Sequence, residues 1–290
     1  MADHVRVGLS SYTYPWAIGL PGAPVTRPLD HDGLLDRTAG LGAAVLQVAD
    51  NLPLHPLDRT RLLRLRDRAR DLGVDLEVGT RGVEPELLAR YLEIATLVGS
   101  PLLRTVVDRG GHEPTPAEAV ATLRPLAPAF RRAGIVLALE NHDRLSSRAL
   151  AWVVEELGTD WVGVCLDTVN SLGALEGPDV VVGVLGPLAV NLHVKDFDVV
   201  RANASLGFDV RGRPVGGGRL DLDALLPRLT RPGPLTAVVE LWTPRQATVE
   251  ATVALERRWA EESVSHLRRR FDRTEPVAAQ PTTSTRSAAR

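Results

Sequence analysis

Eight times along this chain a short apolar run is followed by a segment of helical or loop character, and that alternation leaves few folds open. The runs are Val5–Ser10, Ala43–Ala49, Val74–Val78, Leu102–Val107, Ile135–Glu140, Val162–Asp167, Ala189–His193 and Thr236–Glu240. Continuously apolar strands separated by helices call for a parallel sheet buried on both faces. Eight such units in about 265 residues suit a single (β/α)8 TIM barrel. An open doubly wound sheet is the alternative, and it usually carries a glycine-rich phosphate loop after its first strand. The segment Ser10-Ser-Tyr-Thr-Tyr-Pro15 has no such glycines.

Helix signals punctuate the strands. A helix is expected from Asp30 to Leu41. Asp58 caps the next, in which Leu62, Leu65, Ala69 and Leu72 share one face before Gly73 stops it. Another runs from Pro85 to Val98 and ends at Gly99. Thr115-Pro-Ala-Glu118 reads as a capping box with proline in the first turn. Further helices begin near Ser147 and Asp179. Residues 197–220, with Gly207, Gly212 and Gly216–Gly218, read as a long loop. Thr243-Pro244 is expected to cap the last helix, whose inner face carries Val249, Val253, Ala260, Val264 and Leu267. The barrel domain is thus placed at 1–271, and the Thr, Ser, Ala, Pro and Gln content of 272–290 predicts a disordered tail.

Composition narrows the function classes. A net charge of -2 and a pI near 6.4 give no basic footprint for nucleic acid or an anionic membrane. The single cysteine, Cys165, excludes a disulfide framework and a cysteine-rich zinc site, and within its apolar strand it reads as a small core residue. No apolar run reaches the roughly 18 residues a spanning helix needs. Met1-Ala-Asp-His4 leads into a strand without a signal-peptide stretch, so a cytoplasmic protein is the expectation.

Four successive strands end in metal-binding side chains: Glu140, Asp167, His193 and Glu240. A parallel barrel puts all strand C-termini on one face, where these four can converge. Three carboxylates and an imidazole favour an oxygen-loving divalent ion, Mn²⁺, Mg²⁺ or Co²⁺, with Zn²⁺ admissible. Unneutralised, such a cluster would repel itself and protonate. A metal held there polarises the carbonyl of a hydroxyketone and stabilises the enediolate formed when the adjacent C–H loses its proton. Glu140 and Glu240 are the expected acid/base pair as well as ligands. The expected substrate is a small keto sugar or keto sugar acid.

Most of the neighbouring residues have more than one reading. Lys195, two positions past His193, binds an anionic substrate group, offsets the carboxylate charge, or pairs with Asp167. Arg201 and Arg211, in the long loop, clamp a substrate carboxylate or sit in solvent. His142, Asn170 and Trp242 line the pocket, with Asn170 alternatively a turn residue. Tyr12 and Trp16 form an aromatic wall over substrate or a packed loop on the barrel edge.

Leu139-Glu-Asn-His142, Cys165-Leu-Asp-Thr-Val-Asn170, Leu192-His-Val-Lys-Asp196 and Val215-Gly-Gly-Gly-Arg-Leu-Asp221 resemble motifs of the xylose-isomerase-like barrel superfamily, the sugar phosphate isomerase/epimerase group. The resemblance covers about residues 5–268, and it implies a metal on Glu140, Asp167, His193 and Glu240 with proton transfer by the two glutamates. Ketose 3-epimerases of this group carry a glutamate where this chain has Ser146 and a histidine where it has Asn170. Asn191–Phe197, Arg201, Leu206–Phe208 and Glu240–Pro244 are more similar to the 3-oxo-isoapionate decarboxylase branch, which implies loss of CO₂ instead of a proton. Dehydratases of the same superfamily and a non-catalytic sugar-binding barrel are the competing readings. A homodimer is compatible with the sequence but not specified by it. The apurinic-endonuclease type is disfavoured by scattered histidines and the absence of a basic face.

Overall fold

The computed structural model describes residues 5–203 and 206–271. Its strands in chain order begin with β1 (Val5–Ser10), β2 (Val45–Val48), β3 (Asp75–Arg81), β4 (Leu102–Val106) and β5 (Val136–Glu140). They continue with β6 (Val162–Asp167), β7 (Ala189–Val194), β8 (Asp196–Arg201), β9 (Phe208–Arg213) and β10 (Leu235–Val239). Strands β1 to β7 and β10 pair in parallel in the order β1-β10-β7-β6-β5-β4-β3-β2 and close on themselves. This is the expected (β/α)8 barrel. Gly8 on β1 shows why closure needs a small residue. A Cβ there would stand 3.1 Å from the Val45 carbonyl oxygen of the adjacent strand.

Ten helices occur among the described residues: α1 (Pro15–Ile18), α2 (His31–Gly40), α3 (Arg59–Asp71), α4 (Pro85–Val98), α5 (Pro116–Leu123), α6 (Ala127–Ala133), α7 (Ser147–Leu157), α8 (Pro178–Leu185), α9 (Leu222–Leu225) and α10 (Val249–Phe271). Local chemistry sets their ends. Asp58 accepts from the Arg61 N–H, and Thr115 and Glu118 form the reciprocal capping box. Gly99 ends α4 at φ +77°, a left-handed turn that glycine adopts without a Cβ clash. Leu62, Leu65 and Ala69 of α3 are buried as their spacing requires, whereas Leu72 is 40% exposed. The main apolar core lies between the helices and the outward faces of the strands, with Phe130 and Trp161 packed 5.6 Å apart between ring centroids.

Three expectations change. The stretch read as a loop from 197 to 220 contains an antiparallel hairpin of β8 and β9, in register from Asp196↔Arg213 to Arg201↔Phe208. Gly212 belongs to that hairpin because β9 lies directly on Trp242, and any side chain would strike the Trp242 backbone. The last helix starts at Val249, with Thr248 accepting from the Ala251 N–H. Thr243-Pro244 therefore does not cap it; the Thr243 carbonyl instead accepts from the Trp16 indole at 2.9 Å. On α10, Ala260, Val264 and Leu267 are buried beside Glu256 and Trp259, while Val249 and Val253 are only half-buried. Residues 272–290, where a disordered tail is predicted, lie outside the described residues.

Candidate metal centre at the barrel mouth

Side chains alternate across a strand. Positions 138 and 140 on β5, 165 and 167 on β6, and 191 and 193 on β7 therefore share the barrel's inner side. That alternation brings the four strand-end residues together. The His193 imidazole is fully buried, and its Nδ1 stands 3.4 Å from Glu140 Oε2, 3.4 Å from Glu240 Oε1 and 3.8 Å from Asp167 Oδ2. Metal–ligand bonds of about 2.0–2.2 Å place neighbouring donor atoms roughly 3–3.5 Å apart, so the spacing suits a shared cation. His193 Nδ1 and Glu240 Oε1 are buried without a hydrogen-bond partner. Two buried polar atoms facing each other without partners are costly unless something binds between them. The donor set fits a divalent ion.

The ligands differ in how they are held. Asp167 Oδ1 accepts from the Val169 and Asn170 backbone N–H groups, which leaves Oδ2 turned toward His193. Asn141 clamps β5 to β6: its Oδ1 accepts from the Asp167 N–H at 2.7 Å and its Nδ2 donates to the Asp167 carbonyl. Glu140 is tied at both oxygens, Oε2 by Arg104 Nε and Oε1 by Asn170 Nδ2 at 2.8 Å. Burial works to raise the Glu140 pKa, but Arg104, His193 and Lys195 together hold it well below the usual carboxylate range. Glu240 is held below its ordinary value against the same burial, chiefly by His193 and Lys195. Burial disfavours the His193 imidazolium, yet Cys165 and the Glu240 and Glu140 carboxylates beside it push its pKa well up. A dication binding at Nδ1 would displace that proton.

Lys195 realises its ion-pair reading. Its buried ammonium donates to Asp167 Oδ2 at 2.6 Å and to Asn170 Oδ1 at 3.2 Å, and lies 2.8 Å from Glu240 Oε2. It also lies 5.9 Å from the Trp242 ring centroid. Asn170 opens a short turn, one of the two readings the sequence allowed, and its amide donates to Glu140 Oε1 at 2.8 Å. His142 is half-buried beside Glu140 and bonds Asp143 at 2.6 Å. Tyr12 donates its hydroxyl to Asp50 at 3.0 Å; burial and Asp50 raise the phenol's pKa, so it stays a donor. Trp16 is half-buried, and its indole is spent on Thr243. Arg201 lies on the hairpin, its guanidinium 4.7 Å over the Phe208 ring, and Arg211 pairs with Asp209 there at 2.8 Å.

Arg104 is a residue that sequence reasoning missed. It is 3% exposed, and its guanidinium bonds Glu140, Asp50 at 3.0 Å and the Thr80 carbonyl at 2.9 Å. Three carboxylates around a dication alone would leave the site one charge negative, and Arg104 changes that balance. Three carboxylates against Arg104 and Lys195 leave one negative charge, which a dication would turn into one positive. Including Asp50 on the rim brings the loaded site to neutrality instead of a net negative charge. Cys165 is buried and free. Its Sγ shares a ligand-like cluster with Glu140 and His193, but burial pushes the thiol up to about 11 and it bonds Asn191 Oδ1 at 3.2 Å. The thiol thus sits in the buried layer below the carboxylates, tied to Asn191.

Known proteins share this arrangement of strands. The family described as xylose isomerase-like TIM barrel matches residues 35–270. A 3-oxo-isoapionate decarboxylase of Pectobacterium atrosepticum is 37% identical over 265 residues, covering 91% of this chain and 95% of that protein. Among solved structures, D-psicose 3-epimerase of Clostridium cellulolyticum, with D-tagatose, superposes with a TM-score of 0.68 at 15% identity, over 92% of this chain and 99% of that one. A xylose isomerase-like TIM barrel protein of Mycobacterium smegmatis in complex with magnesium gives 0.62 at 15% identity, over 90% and 97%. At such identities these last two likenesses are of fold alone. Among the described residues no helix is long and apolar enough to cross a membrane.

Proposed function

The chain belongs to the xylose isomerase-like TIM barrel family, and from that premise we propose that it is a metal-dependent carboxy-lyase acting on a 3-oxo sugar acid. Glu140, Asp167, His193 and Glu240 would hold the ion, and Mn²⁺, Mg²⁺, Co²⁺ and Zn²⁺ all suit a set of three carboxylates and one imidazole. When bound, it would supply Lewis-acid polarisation of the substrate carbonyl.

The observation that carries the decarboxylase reading over the epimerase one is the asymmetry of the two glutamates. Epimerisation through an enediolate needs a proton-transfer group on each face of the substrate. Here Glu140 has both oxygens occupied by Arg104 and Asn170, whereas Glu240 turns Oε1 toward the ion position and holds Oε2 2.8 Å from Lys195, a group that can give and take a proton. One available carboxylate suffices for decarboxylation. In a 3-oxo acid the bond between C1 and C2 breaks, CO₂ leaves, and the electron pair moves into the C2–C3 bond and the carbonyl oxygen. A single proton then returns to C2, drawn from the Lys195–Glu240 pair. Lys195 also presents a buried positive charge beside the partly exposed Trp242, which suits a carboxylate-bearing substrate. Ser146, where the ketose epimerases carry a glutamate, is occupied as the N-cap of α7 and accepts from the Ala149 N–H. The 37% identical decarboxylase supports the same reading.

The test is a panel of 3-oxo sugar acids assayed for CO₂ release beside free ketoses assayed for epimerisation, each with and without added Mn²⁺. Metal-dependent CO₂ release is the expected result. Epimerisation of ketoses without CO₂ release would replace this reading with the epimerase one. Sugar binding without turnover in any arm would make the barrel a binding module.

A further inference from the structure

Below the cluster, a second polar layer crosses the barrel interior where apolar residues would ordinarily pack. His193 Nε2 lies 2.6 Å from Gln47 Oε1. The Gln47 amide nitrogen donates to Glu77 Oε2 at 3.0 Å and to Asn191 Oδ1 at 3.1 Å. Glu77 Oε2 also accepts from Asn191 Nδ2 at 3.0 Å, and Glu77 Oε1 accepts from the Thr236 hydroxyl at 2.7 Å. Gln47, Asn191 and His193 are fully buried, and Glu77 is 3% exposed.

The donors and acceptors leave one consistent arrangement. A carboxylate only accepts, so the nitrogens of Gln47 and Asn191, not their oxygens, face Glu77. With its nitrogen committed, Gln47 has only a carbonyl oxygen to offer His193, and a carbonyl only accepts. Nε2 of His193 therefore keeps its hydrogen, and Nδ1, which faces Glu140, Asp167 and Glu240, is the nitrogen whose proton a metal would displace. A neutral Glu77 gives the same answer, because a proton on Oε1 would be donated to Thr236 while Oε2 still accepted both amides. We propose that Glu77, acting through Gln47, sets the tautomer of His193 and so makes Nδ1 its metal-binding nitrogen. Glu77 and Gln47 are positioning residues. This inference rests on the metal reading given above. Hydrogen-bond partners of this kind fix a ligand histidine's orientation, and losing one typically costs 10- to 100-fold in metal affinity.

The test uses the full chain and Mn²⁺ titration, with far-UV dichroism and thermal unfolding to verify that each variant folds. Gln47→Met removes the acceptor from His193 at similar volume, and Mn²⁺ binding should weaken about 10- to 100-fold. Glu77→Met should weaken it by a smaller factor, because Asn191 still orients the Gln47 amide. Glu77→Gln should restore nearly wild-type affinity, since its carbonyl can accept both amides while its NH₂ turns to Thr236; a role in packing alone would not separate Met from Gln. Long-range ¹H–¹⁵N spectra of the Zn²⁺-loaded wild type give a second readout that does not depend on any variant. They should show Nδ1 metallated and Nε2 protonated at the histidine whose signal is lost in His193→Gln. Metallation at Nε2, or undiminished Mn²⁺ binding by a folded Gln47→Met protein, overturns the inference alone. A wild-type protein that takes up neither ion overturns the metal reading and this inference with it.

Discussion

The two halves of the barrel end at the same mouth and contribute opposite things to it. Strands β5, β6, β7 and β10 lead to Glu140, Asp167, His193 and Glu240, an anionic set around one imidazole. Strands β1 to β4 and the turns after them supply the groups that hold this set: Tyr12, Gln47, Asp50, Glu77 and Arg104. Closure of the sheet is what lets one wall answer the other, because Gln47 and His193 are 146 positions apart in sequence yet in hydrogen-bond contact. The comparison teaches that a convergent carboxylate cluster is only half of a site. Its geometry and charge are set from both walls, by Arg104 and Gln47 on the opposite one and by Asn141, Asn170 and Lys195 on its own.

The largest effect is expected on the ligand side. Glu240→Gln or Asp167→Asn should lower turnover by about 10³-fold or more while the far-UV spectrum and cooperative unfolding persist. Near-normal rates in both would remove that half from the chemistry. On the supporting side, Arg104→Met strands Glu140 and Asp50 without their shared cation. Breaking a buried pair in this way typically costs about 3–5 kcal/mol. Denaturant unfolding should show that loss in metal-free protein, and Mn²⁺ should recover part of it by supplying positive charge beside Glu140. A deficit that is small, or unchanged by metal, would deny Arg104 its charge-balancing role.

A smaller effect sharpens the supporting half at its edge. Glu256 on α10 accepts from the Trp16 and Ala17 backbone N–H groups and so pins the loop that carries Tyr12 and Trp16. Burial raises its pKa from 4.5 to about 7, although those two hydrogen bonds oppose the shift. Between those values the folded protein binds more protons than the unfolded chain, so this residue's contribution to stability falls as pH rises from 4.5 to about 7. The span corresponds to about 3 kcal/mol at most. Glu256→Gln should flatten that part of the pH dependence in urea unfolding, and an unchanged slope would contradict it.

How much of this was legible in the sequence follows the same division. The strand ends stood out because Glu140, Asp167 and His193 each terminate an apolar run, and α4 was readable to its limits from Pro85 and Gly99. Arg104 and Glu77 did not stand out, since neither ends its run: Arg104 sits mid-strand and Glu77 alternates with apolar residues after Asp75, as on the polar face of an ordinary strand. A signal was present nonetheless: Gln47, Glu77, Arg104, Asn191 and Thr236 place polar groups in five strands, all buried. The hairpin was hidden because its strands are largely solvent-facing and lack a continuous apolar run, with Phe208 at 64% and Val210 at 44% exposure. The start of α10 was misread because Thr243-Pro244 imitates a cap, whereas Thr248 lacks the proline and does the capping.

The measurement that bears most directly on the central claim is metal stoichiometry and affinity in the wild type, Asp167→Asn and Gln47→Met proteins, taken from one titration series with Mn²⁺. The account predicts one ion per chain in the wild type, loss of tight binding in Asp167→Asn, and a smaller but clear weakening in Gln47→Met from the opposite wall. Equal binding by all three folded proteins would contradict it.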